Sequence, residues 1–445
     1  MKPQIVAIIG AGPVGLAAGA QALERGLTPI IFEQGAEVAH AIRQWQHVKM
    51  FSPWEFNIDT AAEKLLNDAG WHRPDDNELP TGGELVERYI APLGTQTILK
   101  QYVKLSAKVT AISRVGLDKL MTAGREEAKF EIRYTQDDQQ QVALADAVID
   151  ISGTWSTPNP AGSNGLPAFG EPEAAEHISY VMPDVLGRKR EQFANKRVAV
   201  LGGGHSAVGT ILDLVTLREE APDTDITWLV RGEDTGRSFG GGDNDQIEAR
   251  GALGTKFKHL IEGGKIRIES GFYLSHIARQ SNGLKISSSA IEEDKYVTVD
   301  ELVVSTGFRP DYSFASELRL ELDPATECPP ILAPMIDPNV HSCGTVRPHG
   351  ARELAQPEKG FYIAGMKSYG RAPTFLMITG YEQVRSIIAD IVGDKEGAAR
   401  VELVLPETGV CSAPLDNDND NDNEEGCCAP TSQQSEENKA GCCSD

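Results

Sequence analysis

No run of 18 consecutive apolar residues occurs in this 445-residue sequence, so nothing in it reads as a membrane-spanning helix. Positive charge is scarce. The 42 Lys and Arg stand against 65 Asp and Glu, and the net charge of -23 gives a field that repels polyanions, which argues against nucleic-acid partners. Cysteine is almost missing from the body of the chain, where only Cys328 and Cys343 occur, with neither a CxxC nor a CxxxxC pair. That disfavours a redox dithiol there. The opening MKPQIVAIIGAG lacks the charged and apolar regions of a secretory signal, so a cytoplasmic location with resting thiols is expected.

What the sequence does have is glycine turns between strand-like runs. Apolar runs at 4–10, 28–33 and 147–152, with a helical pattern between the first two, describe a βαβ unit. A second set at 197–204, 225–231 and 301–307 repeats that logic. A Pro- and Gly-rich stretch at 154–167 suits a hinge between them. GFYIAG at 360–365, followed by a helical pattern over 374–393, reads as a return to the first unit. The expected fold class is α/β, with two Rossmann-like dinucleotide-binding domains, the second inserted in the first, plus a tail. The first domain takes 1–157 and 321–408, the second 158–320, and the tail 409–445. The tail carries nine acids against one lysine and almost no apolar residues, a composition that predicts disorder.

Gly10-Ala11-Gly12-Pro13-Val14-Gly15 follows a strand and opens a helix. Gly10 serves the tight turn, Gly12 lets backbone approach a pyrophosphate, and Gly15 allows close helix packing. Glu33 ends the next strand, where an acid accepts ribose hydroxyls. The second fingerprint, Gly202-Gly203-Gly204-His205-Ser206-Ala207, has Ala207 at its third small position. Its following strand runs to Arg231, with Arg237 shortly after. A guanidinium there attracts the 2′-phosphate of NADPH, although nearby Glu233 and Asp234 leave a solvated strand-end charge as the competing account.

The order of GAGPVG, ISGTWSTPNP, GGGHSA, STGFRPD at 305–311 and GFYIAG resembles the two-dinucleotide-binding-domain flavoproteins over roughly residues 1–400. Within them it is most similar to the class B, flavin-containing-monooxygenase-like branch. The segments at 45–57 and 80–93 look like the flavin-side insertions of that branch. The resemblance implies FAD in the first fold and NADPH in the second. It places backbone near Gly365 and Met366, and the start of a helix at Thr374, against the flavin. Two departures stand out. The expected FxGxxxH fingerprint is degraded, since six residues separate Gly170 from His177, and Met366 stands where related reductases place an Asp.

Candidate catalytic residues are Asn57, in the first insertion, and Cys343, which lies between His341 and His349 and can face a substrate. Ordinary hydrogen-bonded histidines compete with that second reading. The tail holds Cys411 and the vicinal pairs Cys427-Cys428 and Cys442-Cys443, candidate ligands for a soft metal or metalloid. The chain also resembles flavoproteins associated with metalloid resistance. Three functions remain open. The leading one is an NADPH-dependent FAD monooxygenase that uses O2 on a small soft nucleophile such as a trivalent arsenical. The others are an NADPH-dependent flavin reductase shuttling electrons through the tail cysteines, and a non-enzymatic metalloid-binding regulator. A homodimer stays open.

Overall fold

The structure, a computed structural model, describes residues 4–233, 235–239, 248–289, 295–339, 346–372 and 375–403. The expected tail, with its five cysteines, lies outside them, as do His341 and Cys343.

The first sheet grows from strands β1 (Ile5–Ile9), β2 (Thr28–Phe32) and β3 (Val103–Lys104). An antiparallel sheet follows, made of β4 (Ala107–Arg114), β5 (Phe130–Gln136) and β6 (Gln139–Ala145), and then β7 (Ala147–Asp150) returns beside β1. The second sheet uses β8 (Ile178–Tyr180), β9 (Arg197–Leu201), β10 (Asp225–Leu229) and β11 (Arg267–Glu269). Another antiparallel trio, β12 (Leu274–Gln280), β13 (Gly283–Ser288) and β14 (Tyr296–Val299), precedes β15 (Glu301–Val304). Only then does β16 (Phe361–Ile363) complete the first sheet. The spatial orders are β16-β7-β1-β2-β3 and β11-β10-β9-β15-β8, and both sheets are parallel throughout. One dinucleotide-binding fold is thus nested inside the other.

Parallel strands covered on both faces need continuous apolar runs, and β7 and β15 are buried at every position. Helix α1 (Pro13–Glu24) starts with Gly12 extended and Pro13 in its first turn, where a missing N–H costs nothing. Its small residues let it bury everything from Val14 to Ala22. Helix α2 (Thr60–Asp68) is capped by Asp59, whose Oδ1 accepts from the Ala62 amide at 2.8 Å. Helix α3 (His205–Glu220) opens from the second glycine turn. Helix α4 (Met377–Ile391) packs on α1 and buries Thr379 through Ala389.

Three sequence expectations need correction or addition. The helix expected over 374–393 begins at Met377 rather than Thr374, because Leu376 is still extended (φ -104°, ψ 138°); Thr374 itself lies outside the described residues. β10 ends at Leu229, two residues before Arg231. Both antiparallel trios and β8 went unforeseen. Along β4 the buried positions do alternate with exposed ones at first, the period-two signal of a half-covered strand.

Candidate functional site

The two glycine turns occupy the same place in their sheets. Ile9 lies opposite Phe32 and Asp150, and Leu201 lies opposite Leu229 and Val304. The next residue, Gly10 or Gly202, donates its amide to the last carbonyl of the neighbouring strand, Phe32 at 2.7 Å and Leu229 at 3.0 Å. Their φ values, 112° and 130°, are closed to other residues, and a Cβ would stand 2.6 Å from the Ile151 carbonyl oxygen or 2.3 Å from that of Ser305.

Two residues on, the constraint vanishes. A Cβ on Gly12 or Gly204 would meet nothing within 4 Å, so each turn leaves a hollow at the N-terminus of a helix of 12 or 16 residues. A phosphate group fits there, facing oriented amides. Gly15 is held by contact, since a Cβ on it would lie 1.9 Å from the Gly10 oxygen, whereas Ala207 carries its methyl fully buried.

The residues after β2 and β10 set the turns apart. Glu33 is buried, and its carboxylate accepts from the amides of Ala11 (3.1 Å) and Gly35 (2.9 Å). Burial nevertheless raises its pKa, with those amides opposing. After β10 the corresponding residue is Val230; Arg231 follows, exposed, with Nη1 3.3 Å from the Ser163 carbonyl. The side chain of Arg237 lies outside the description.

A cavity of about 1620 Å³ opens from the second turn, along Gly202, Gly203, Gly204 and Arg231, and reaches Met366. Trp45, Met50, Phe51, Phe375 and Leu376 contribute apolar side chains to its lining, beside charged Lys49, Asp213 and Arg371. Phe51 meets His205 edge-on at 5.5 Å, which brings the first insertion against the start of α3. Trp155 touches Trp45 and Phe308 and donates to Gln44 at 2.9 Å, fastening the proline-rich stretch across the cavity's rim. Among the described residues no cysteine lines the cavity. Cys328 is buried beside Thr326 (2.9 Å), and burial pushes its thiol up to about 11. No cluster of His, Cys, Asp or Glu among the described residues is arranged to hold a metal ion.

Asn57 is fully buried, and its amide is used within its own loop. Nδ2 donates to the carbonyls of Ser52 (2.8 Å) and Pro53 (2.9 Å), and Oδ1 accepts from Ser52 Oγ. It shapes the loop that brings Phe51 and Ser52 to the cavity and does not line the cavity itself. His177 bonds Glu301 at 3.1 Å, linking β8 to β15, and also lies off the cavity.

Several groups were not anticipated from sequence. His47 lines the cavity with both ring nitrogens enclosed and unpartnered among the described residues, and burial lowers its pKa. Asp213 on α3 also lines it, and burial, with Asp184 adding, pushes its carboxyl up to about 6. Lys367, two residues past Gly365, is buried 2.7 Å from Asp150; it also donates to Ser152 Oγ (2.9 Å) and the Asp311 carbonyl (2.6 Å). The only sequence signal for that pair was an acid at the end of an apolar strand and a lysine beside a glycine motif.

The sequence profile of the pyridine nucleotide-disulphide oxidoreductase family matches residues 7–333. Flavin-containing monooxygenase 3 of Rattus norvegicus is 27% identical over 213 residues, an alignment that takes in 47% of this chain and 38% of that relative's length. The chain therefore spans well under half of the curated relatives it matches. Among solved structures, bacillithiol disulfide reductase from Bacillus cereus superposes with a TM-score of 0.62 at 19% identity, covering 87% of this chain and all of that one. The FAD-bound cadaverine monooxygenase DfoA from Erwinia amylovora also gives 0.62, at 14% identity over 93% of this chain and all of its own. At these identities the likeness is one of fold.

Proposed function

The chain belongs to the pyridine nucleotide-disulphide oxidoreductase family, and from that premise we propose that it is an NADPH-dependent FAD monooxygenase acting on a small soft nucleophile. Residues 1–157 and 321–408 hold FAD in this reading, and 158–320 hold NADPH. The observation that carries it is the cavity, which runs from the second glycine turn to Met366, counts Trp45, Phe51, Phe375 and Leu376 in its lining and has no cysteine on its described wall. A reductase that passes electrons through a thiol pair needs that pair beside the flavin, whereas an oxygenase needs water kept from it.

When bound, FAD supplies the electron relay between nicotinamide and O2. The chain's own residues bind and shield. Gly10, Gly12 and the start of α1 receive the FAD pyrophosphate, with Gly15 and Glu33 bracing that turn. Gly202, Gly204 and the start of α3 receive that of NADPH, with Ala207 packed behind. Arg231 meets the 2′-phosphate, where a carboxylate would repel it. Gly365 and Met366 border the flavin end, while Trp45, Phe51, Phe375 and Leu376 keep water from it. Overall, NADPH, a proton, O2 and the nucleophile give NADP⁺, water and the nucleophile bearing one oxygen atom.

A trivalent arsenical is the finer version of the substrate, motivated by the vicinal cysteines of the tail. The test is turnover with ¹⁸O2 and NADPH in the presence of arsenite, methylarsenite, a thioether or an amine. One labelled oxygen in product per NADPH consumed is expected. NADPH oxidation that puts no label in any of these products, together with loss of turnover when Cys427, Cys428, Cys442 and Cys443 become Ser, would transfer the assignment to a tail-shuttle reductase.

A further inference from the structure

The turn at Gly365 is held by a buried chain of hydrogen bonds with only one self-consistent protonation. The Gly365 amide can only donate, and it donates to Gln383 Oε1 at 2.7 Å, which fixes that side chain's orientation. Gln383 Nε2 is therefore the NH2 group. It donates to Ser368 Oγ at 2.9 Å and faces His349 Nε2 at 2.8 Å. Ser368 Oγ in turn donates to the Gly365 carbonyl at 2.7 Å. At the far side of the ring, His349 Nδ1 lies 3.0 Å from the Arg347 carbonyl, which can only accept. His349 must then carry its proton on Nδ1 and offer the Nε2 lone pair to Gln383, so the ring is neutral. Gln383 and Ser368 are fully buried and His349 is 3% exposed, so no water replaces a lost partner.

We propose that His349 and Gln383 are positioning residues for FAD, with the neutral imidazole holding the Gln383 amide in the one orientation that fixes the Gly365 turn. The inference rests on the reading that Gly365 and Met366 border FAD. A second proton on His349 sets an N–H against the Gln383 NH2. Relief requires the amide to flip, which turns that NH2 toward the Gly365 N–H and releases the turn.

The surroundings favour the neutral ring. Burial lowers the His349 pKa; the hydrogen bond to the Arg347 carbonyl opposes this, and the Arg347 charge lowers it further. Glu353 and Glu382 oppose, but Glu353 faces Arg347 at 3.4 Å and Glu382 is tied to Arg385 at 2.7 Å. The Tyr369 ring covers the imidazole, its centroid 5.8 Å away. For a histidine with a lowered bound-state pKa, the released state takes the proton more readily. Falling pH therefore favours release, and affinity drops by up to about tenfold per pH unit between the released-state and the bound-state pKa, levelling off below the latter.

Substituting Gln383→Glu should reverse the sign. A carboxylate still accepts from Gly365, but its second oxygen now needs a donor on the imidazole side, and protonated His349 supplies one from Nε2 while keeping Nδ1–H on the Arg347 carbonyl. The experiment is FAD affinity of the full-length protein by flavin fluorescence from pH 5 to 9, for wild type, Gln383→Glu and His349→Gln, with circular dichroism confirming the fold at each pH. Wild type is expected to lose FAD toward acid, Gln383→Glu to lose it toward base, and His349→Gln, which accepts through Oε1 without titrating, to show neither trend. Parallel profiles for wild type and Gln383→Glu overturn the relay. Wild type that binds no FAD at any pH overturns the functional reading on which it rests. Nitrogen-15 NMR of the imidazole separates the two failures, because the Nδ1–H tautomer is expected with or without FAD, and an Nε2–H tautomer overturns the relay alone.

Discussion

The two glycine turns share strand register, backbone conformation and an open hollow two residues on, yet what stands behind each turn differs. At the position opposite Ile9 the first sheet has Asp150, buried and paired with Lys367; opposite Leu201 the second sheet has Val304, buried in an apolar cluster. Behind the strand that follows, the first sheet has Glu33 and the second has Val230 and then Arg231. The strand framework makes the same open hollow at a helix start in both places. In the proposed reading, Glu33 and Arg231 beyond the strand ends decide which nucleotide each site takes.

The sharpest way to break the comparison is Lys367→Met. It leaves Asp150 buried without its partner, and a loss of about 3–5 kcal/mol in denaturant unfolding is expected. Adding Asp150→Val gives the first sheet the apolar arrangement of the second and should restore most of that loss. No recovery in the double variant would mean that the pair does more than satisfy its own charges. Next come the turns themselves. Gly10→Val should abolish FAD retention, and Gly202→Val should retain FAD while reduction by NADPH falls roughly ten- to a hundredfold, from about 1–3 kcal/mol of backbone strain. Equal loss of FAD in both would erase the distinction drawn between the turns.

Arg231→Ala should raise the KM for NADPH roughly tenfold and leave that for NADH nearly unchanged, as expected for one exposed charged contact. Unchanged NADPH kinetics would remove Arg231 from the site. The smallest effects concern two aspartates, Asp59 beside the first turn's helix and Asp213 on the second's, both pushed up to about 6 by burial. A carboxyl whose folded pKa lies above its unfolded value takes up protons on folding, so stability is lost as pH rises through about 4 to 6. Asp59→Asn keeps a good helix cap and should flatten that slope in thermal melts. Asp213 lines the cavity, so its charge acts on an anionic ligand. NADP⁺ binding should weaken a few-fold above about pH 6 in wild type and not in Asp213→Asn, as titration calorimetry would show.

Much of the framework was legible before any coordinates. Gly10 and Gly202 are required by backbone geometry, and Gly12 and Gly204 leave open space, features that the local strand–turn–helix pattern determines, so sequence reached them. Glu33 follows its strand as expected, whereas Arg231 lies two residues past the end of β10, because Val230 takes the place next to the strand. Asp150, Lys367, His349 and Gln383 were not, because each acts through a partner between 18 and 217 residues away, and no local period marks such a pair. The antiparallel trios were missed because their strands are half exposed and mixed in polarity, as in β6, where five of seven positions face solvent.

The strand that closes the first sheet, β16, begins at Phe361, after every strand of the second sheet has been made. During synthesis from the N-terminus the inner unit can therefore pair all of its strands while the outer one still lacks an edge. Until Phe361 leaves the ribosome, β7 presents an unpaired flank to whatever surrounds the nascent chain. Birth order and nesting thus run in opposite directions: the part enclosed in sequence is the part that can finish first.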